Sequence, residues 1–130
     1  MAAVNIVNVT SIYGKTTYYT PTGTAAVVLL PNAAASSTVM KIGQITATNT
    51  TGTAANTTVS VYTNGAVAQG SAPSGGTAYP IAGTISVPAN AALIVSDKTT
   101  AFYLEEGISI SVTSGTASAI TYTVSYELMA

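Results

Sequence analysis

The stretch ITYTVSYEL, residues 120–128, alternates apolar and polar side chains at every position. This alternation is typical of a β-strand with one face toward a core and the other toward water. Residues 108–113, ISISVT, show the same pattern a few positions earlier. The small and polar residues 114–118 lie between the two runs and indicate a turn. The two runs are therefore predicted to form an antiparallel hairpin.

The rest of the chain contains further short strand candidates. They are residues 6–13, 24–30, 39–48, 58–62, 81–87, 92–96 and 102–104. Proline, glycine and asparagine separate them, and Asn64-Gly65, directly after residues 58–62, suits a type I′ turn. No window shows sustained helical periodicity. Short strands with turns every 8–12 residues predict an all-β fold, an antiparallel β-sandwich of the jelly-roll kind.

The chain is expected to form one β-sandwich domain over residues 1–130, because no linker divides it. Residues 65–78, which are rich in Gly, Ser and Ala, are predicted to form an exposed loop. Residues 1–12 contain no glycine, proline or charge. They are predicted either as the first strand of the sandwich or as an arm that adds to a neighbouring molecule.

Ionisable side chains are scarce. Only 5% of the residues are charged, the net charge is −1, and Arg, His and Cys are absent. An ordinary soluble domain has roughly a quarter of its residues charged. The ionised side chains are Lys15, Lys41, Lys98, Asp97, Glu105, Glu106 and Glu127. The remaining surface of hydroxyl and methyl groups is easier to reconcile with a subunit of an assembly than with a free monomer.

This composition argues against catalysis and against cofactor or metal binding. Ser–His and Cys–His nucleophiles cannot form without His or Cys. Glu105 and Glu106 are neighbours, so on a strand they point to opposite faces and cannot act as an acid–base pair across one bond. Calcium needs six to eight oxygen ligands, and the four acidic residues are dispersed. We expect a protein that is not an enzyme and holds no cofactor.

Nucleic acid and membranes are also unpromising partners. Three scattered lysines give little electrostatic attraction for a phosphate backbone. No apolar run approaches the ~18 residues of a membrane span. The N-terminus lacks the basic region and apolar core of a signal peptide, so the chain is expected to be made in the cytoplasm and not exported by the usual route.

Several apolar residues are candidates for a protein interface. The aromatic candidates lie outside the regular alternation, and such side chains anchor interfaces or form platforms for sugars. For each of them, packing in the core is the competing interpretation. The candidate interface residues are Val4, Ile6, Tyr18, Tyr19, Tyr79, Phe102 and Tyr103.

The C-terminal half resembles a known group of proteins through four segments. They are residues 85–95 (ISVPANAALIV), 97–100 (DKTT), 103–107 (YLEEG) and 124–127 (VSYE). Residues 29–33 and 41–42 carry a looser likeness in the N-terminal half. Together these segments resemble small virion structural proteins of tailed bacteriophages, including phages of cyanobacteria. The resemblance implies a non-enzymatic β-sandwich on the virion, with no catalytic motif to transfer.

The predicted function is therefore that of a capsid decoration, or cement, protein of a virion. Its expected partners are the major capsid protein and further copies of itself, as a homotrimer, after synthesis in the host cytoplasm. One alternative is a structural protein of the tail, neck or fibre. Another is a carbohydrate-binding module that uses the loop aromatics. The copy number per particle distinguishes shell from tail.

Overall fold

The computed structural model describes residues 4–130, and within them nine β-strands follow one another. The strands are β1 Ile12–Tyr19, β2 Val27–Asn32, β3 Val39–Asn49, β4 Ala55–Tyr62, β5 Ala78–Val87, β6 Ala92–Ser96, β7 Phe102–Leu104, β8 Ile108–Ser114 and β9 Ile120–Met129. A single 3₁₀ turn, Lys98–Thr100, precedes β7. In the described part of the chain, no helix is long and apolar enough to span a membrane.

The strands form two antiparallel sheets that enclose the core. Sheet A has the order β1-β9-β3-β6, with β7 also paired to β3, and sheet B has the order β2-β8-β4-β5. Apart from short β7, the first strand pairs with the last, the second with the last but one, and so on inward. This is the pairing of one long hairpin rolled into a jelly roll. The predicted all-β, antiparallel sandwich is confirmed.

The predicted hairpin between the last two strands is wrong. β8 lies in sheet B between β2 and β4, whereas β9 lies in sheet A between β1 and β3. Residues 115–119 therefore cross from one sheet to the other. Two backbone hydrogen bonds fix this crossing. The Gly115 amide donates to the Asn56 carbonyl, and the Ser118 amide donates to the Pro21 carbonyl. Alternation predicts which side chains face the core, but it does not identify the neighbouring strand.

The first strand starts later than the predicted residues 6–13. Residues 4–11 lie outside any strand, and residues 1–3 lie outside the described range. Asn5 starts a local turn, in which its side chain accepts from the Val7 amide and its carbonyl from the Asn8 amide. Strand pairing begins beyond Ser11, which exchanges two hydrogen bonds with Ala130. The role of residues 1–12 as an arm stays a prediction.

The predicted type I′ turn at Asn64-Gly65 is also wrong, because neither residue has a positive φ. Residues 63–77 instead form a long connection between β4 and β5. Gly65 is buried, and a Cβ there would lie 2.0 Å from the Asn32 carbonyl oxygen. Glycine is thus required for close approach of two backbones.

The same connection is only partly the exposed loop that composition predicts. Many of its side chains are exposed, but its backbone pairs with the edge of β2. The Val28 amide donates to Ser71 and the Val28 carbonyl accepts from Gly70, at 2.9 and 2.8 Å. The loop therefore continues sheet B beyond β2 for a short distance.

The core between the sheets is mainly apolar, and its few polar side chains find hydrogen-bond partners. Its largest fully buried side chains are Tyr122, Leu29, Ile42, Ile45, Leu104, Ile110 and Ile120. Among the described residues, no buried side-chain nitrogen or oxygen lacks a hydrogen-bond partner. This agrees with the high cost of leaving such an atom unpaired.

Gly65→Ala is expected to destabilise the fold by about 3 kcal/mol or more, because the added methyl group meets the backbone of Asn32 and Ile108 in the paired strands β2 and β8 of sheet B. Gly52→Ala is the matched control, since a Cβ at Gly52 meets nothing within 4 Å. Urea unfolding monitored by circular dichroism measures both. Equal stability of the two variants would contradict the close packing at Gly65.

Candidate interaction surfaces

The outer face of sheet A carries a row of side chains that crosses four strands. Tyr18 of β1 lies opposite Thr123 of β9, Thr123 opposite Thr46 of β3, and Thr46 opposite Ile94 of β6. Directly opposite residues of antiparallel strands share a face. Tyr18 and Ile94, at the two ends of the row, are 71% and 58% exposed. The row therefore joins two exposed apolar groups through two threonines.

One end of the same face holds an open apolar depression of about 230 Å³. Its lining residues are Val4, Ile6, Val39, Tyr103 and Glu105. The N-terminal segment reaches this place because the amides of Thr10 and Ser11 both donate to the Ala130 carbonyl at the end of β9. Three of the predicted interface residues, Val4, Ile6 and Tyr103, are thus brought together.

A polar groove of about 220 Å³ lies beside β1 on the same sheet. It is lined by Gly14, Lys15, Thr16, Lys41, Gly43, Ser125, Tyr126 and Glu127. Gly14 contributes no side chain, and the space above it is open for at least 4 Å. Gly43 lies at a β-bulge in β3, which interrupts the pairing with β9. Glycine at both places leaves the groove floor formed by backbone.

The row from Tyr18 to Ile94 has no charged side chain, whereas the depression has Glu105 and the groove has Lys15, Lys41 and Glu127. The pKa shifts are local. The Thr99 hydroxyl and amide donate to the Asp97 carboxylate and lower its pKa, at a turn far from the groove in sequence. Burial raises the pKa of the Tyr126 hydroxyl. Neither group titrates near neutral pH.

Two predicted interface residues belong to the core instead. Phe102 lies opposite Ile42 and, like Tyr19, packs partly buried against the apolar cluster. The Tyr19 ring lies beneath the 63–77 connection, where a Cβ at Gly70 would come within 3.2 Å of three of its atoms. Both residues face inward. Phe102 has the same strand parity as buried Leu104, and Tyr19 lies opposite fully buried Tyr122.

Tyr79 lies apart from the other candidates, on β5 at the edge of sheet B. It is 61% exposed and shares that strand with Ile81 and Ile85, which are also exposed. These two isoleucines are exposed apolar residues outside the predicted interface set, as are Val7, Ile12, Tyr13 and Ile94. For Ile94 the sequence does contain a signal. Alternation in residues 92–96 places Ile94 on the opposite face of the strand from Leu93 and Val95.

The arrangement is suited to burying apolar and hydroxyl-bearing surface against another macromolecule. Within residues 4–130, no group of three or more Asp, Glu, His or Cys side chains converges as a metal site would require. Of the acidic pair, Glu105 is exposed at the depression and Glu106 is buried. The row from Tyr18 to Ile94 offers contact area with no charge to desolvate, whereas the groove and the depression include charged side chains.

No protein-family model matches the chain, and no curated protein matches it. Among solved structures, it aligns with a chain of the structure of infectious bursal disease virus Gx strain. The TM-score is 0.40 and the identity 14%, over 92% of this chain and 32% of the viral chain. This chain thus spans about a third of that chain's length. No part of the functional interpretation rests on this likeness, and the resemblance to phage virion proteins stays a hypothesis.

Substitution of the aromatic candidates by alanine is expected to separate core from surface. Phe102→Ala and Tyr19→Ala remove partly buried rings and should each cost about 2–4 kcal/mol. Tyr18→Ala and Tyr79→Ala truncate exposed rings and should change the free energy of unfolding by about 0.5 kcal/mol or less. Urea denaturation measures all four. A cost for Tyr18→Ala equal to that for Phe102→Ala would refute the assigned facings.

Proposed function

We propose that the chain is a structural protein of a virion and acts as a capsid decoration protein bound to the major capsid protein. The observation that carries this proposal is the outer face of sheet A. It combines exposed Tyr18, Ile94 and Tyr103 with threonine hydroxyl groups, and the row from Tyr18 to Ile94 carries no charged side chain. Such a face loses little by desolvation and gains by burial when it meets another surface.

The fold supports the same conclusion. A double-sheet jelly roll is an architecture of viral capsid and lectin domains. Its rolled pairing leaves two broad sheet faces without covering helices, so the faces are available for contacts with neighbours. Fold alone does not establish function. The proposal therefore rests on the composition of the faces, and the fold explains how they come to be flat and broad.

The affinity of one molecule for the capsid would be modest, and many linked molecules would bind effectively. A standard interface buries ~800 Å² per partner. Decoration of a shell repeats that contact over many equivalent sites, and links between neighbouring copies raise the effective concentration of each. The predicted homotrimer is one form of such linkage and stays a prediction. In this account the chain stabilises particles by covering and joining surfaces, without chemical turnover.

A carbohydrate-binding module is the weaker alternative. Sugar recognition by stacking uses aromatic rings gathered into one platform. The exposed rings are dispersed, since Tyr18 and Tyr103 lie on different rows of sheet A and Tyr79 lies on sheet B. A place on the tail, neck or fibre instead of the shell is distinguished by copy number, with hundreds per particle for a shell and a dozen or fewer for a tail.

The test is a binding measurement between the purified chain and particles assembled without it. The double variant Tyr18→Ser, Ile94→Ser removes the two exposed apolar groups of the sheet A row and should weaken binding at least about tenfold. Tyr79→Ser, Ile81→Ser is the matched control on sheet B. Wild-type binding should saturate at a copy number typical of a shell.

Two results would overturn the proposal. One is the absence of the chain from infectious particles. The other is turnover of a substrate by the purified chain alone. Loss of binding in the sheet B variant, with the sheet A variant binding like wild type, would leave the decoration role standing but would place the docking face on sheet B.

A further inference from the structure

A sandwich of two open sheets has four edges, and in residues 4–130 three of them are protected. The edge of β2 is hydrogen-bonded to Gly70 and Ser71 of the 63–77 connection. The edge strand β5 contains Pro80 and two register shifts. At the far edge of sheet A, β6 and β7 are only five and three residues long. Short strands, bulges and proline are the usual means of preventing pairing between edges.

The remaining edge strand, β1, is not short and has no bulge or proline. The side chain of Gln69 in the 63–77 connection donates to the Thr17 hydroxyl, a contact with a side chain of β1 and not with its backbone. Strand β1 runs for eight residues in unbroken register with β9 and contains no proline and one charge, Lys15. No strand of the described chain lies on its other side. Its first five residues, Ile12 to Thr16, are all exposed. An unprotected edge of this length is a template for another strand.

The hydrogen-bond phase of β1 identifies the groups that point away from β9. Ser11 and Ala130 exchange two hydrogen bonds, and the register then continues without a shift. In an antiparallel ladder, bonded and non-bonded pairs alternate. Odd-numbered residues of β1 therefore bond to β9. The backbone amides and carbonyls of Ile12, Gly14, Thr16 and Tyr18 face the free edge.

We propose that two copies of this chain associate through β1, paired antiparallel about Thr16, so that sheet A continues from one molecule into the next. Thr16 then exchanges backbone hydrogen bonds with the partner's Thr16, and Gly14 with the partner's Tyr18. The two-fold axis is perpendicular to the sheet, which keeps each outer face continuous with its counterpart. The contact is isologous and closes at two copies.

Side chains favour this register over its neighbour. Moving the axis by one residue to Lys15 would place two lysines directly opposite each other, and like charges in that position are destabilising. With the axis at Thr16, Lys15 instead lies opposite the partner's Thr17. The partner's Tyr18 then lies beside Gly14, at the mouth of the groove of about 220 Å³ that Gly14 helps to line.

The pairing of glycine with tyrosine explains two otherwise unconnected observations. Tyr18 is the most exposed aromatic side chain, at 71%, and the space above Gly14 is open. An aromatic ring that covers a glycine on a neighbouring strand restores the packing that the glycine lacks. The two-fold axis makes this contact twice. The Tyr18 ring is exposed in a single molecule, and in the pair it covers the partner's Gly14 and is itself covered.

The association is expected to be weak in solution. One strand pair buries less than the ~800 Å² per partner of a standard interface, so we expect a dissociation constant on the order of 0.1 mM. Sedimentation equilibrium of the purified chain up to about 1 mM should show a mass that rises toward twice 12.9 kDa. A predominantly monomeric mass throughout, or a mass of three chains, would overturn the proposal.

A charge exchange at the axis tests the register. In a dimer of either single variant, Thr16→Lys or Thr16→Glu, two like charges lie opposite each other at the axis. The dissociation constant of each variant alone should therefore be about fivefold higher than that of wild type. An equimolar mixture of the two should associate at least as well as wild type. Ser86→Lys and Ser86→Glu on β5 are the matched controls, with no such difference. Association that is the same in the single and mixed samples would refute pairing about Thr16.

A covalent trap gives an independent readout. The chain has no cysteine, so Thr16→Cys introduces a single thiol. Bonded partners in an antiparallel pair have Cα atoms about 5.5 Å apart, within the range that a disulfide spans. Mild oxidation should give a covalent dimer from Thr16→Cys much faster than from the control Ser86→Cys. Equal rates would overturn the proposal, and all these measurements are made without virus particles, independently of the proposed function.

Discussion

The hydroxyl group of Tyr122 ties the two sheets together in the middle of the core. Tyr122 is fully buried on β9 of sheet A, and its hydroxyl reaches β4 and β8 of sheet B. It donates to the Thr113 carbonyl at 3.0 Å and shares a second hydrogen bond with the Thr57 hydroxyl. Since a phenol has one proton, the Thr57 hydroxyl is then the donor to Tyr122. Burial raises the pKa of Tyr122 above its ordinary value.

The same chemistry recurs where strands end. The buried amide of Asn32 donates to the carbonyls of Thr38 and Leu104, and that of Asn49 to the carbonyls of Thr53 and Val87. Almost all the buried polar side chains are hydroxyls or amides, with Glu106 as the exception. Neutral hydrogen bonds need no paired charge, and a chain with so few charges has little else to use. The scarcity of charge that suggests an assembly subunit thus also shapes the interior.

The sequence predicts well which side chains of a strand face the core, and it predicts poorly which strands are neighbours. Alternation in residues 120–128 correctly places Tyr122 and Val124 inward, because facing depends on local parity. Their neighbours on β3 lie about 80 residues earlier in the chain, and no local pattern reports that distance. The error over the β8–β9 hairpin has this cause. The conformation of Gly65 depends on Asn32, which also lies beyond the reach of any local pattern.

The candidate surfaces show the same division. Val4, Ile6 and Tyr103 meet because Ala130 holds the N-terminal segment near β7, a tertiary fact that composition does not contain. Phe102 was within reach of the sequence, since it lies two positions from buried Leu104 on a strand. The central claim is that neutral contacts such as the Tyr122 hydroxyl hold the sandwich together, and that claim is open to direct measurement.

The most direct measurement is the free energy of unfolding of wild type and Tyr122→Phe between pH 8 and pH 11.5. At pH 8 the variant should be about 1–2 kcal/mol less stable, because Thr57 and Thr113 lose their buried partner. The pKa of Tyr122 is higher in the folded than in the unfolded chain, where it is near 10. Its contribution to the free energy of unfolding is therefore complete below about pH 10 and is lost as pH rises toward the folded pKa. Wild type should accordingly lose stability more steeply than Tyr122→Phe above about pH 10. Tyr126→Phe is the control on the same strand at pH 8, where we expect a change of about 0.5 kcal/mol or less. Equal stability and equal alkaline slopes for wild type and Tyr122→Phe would contradict the account.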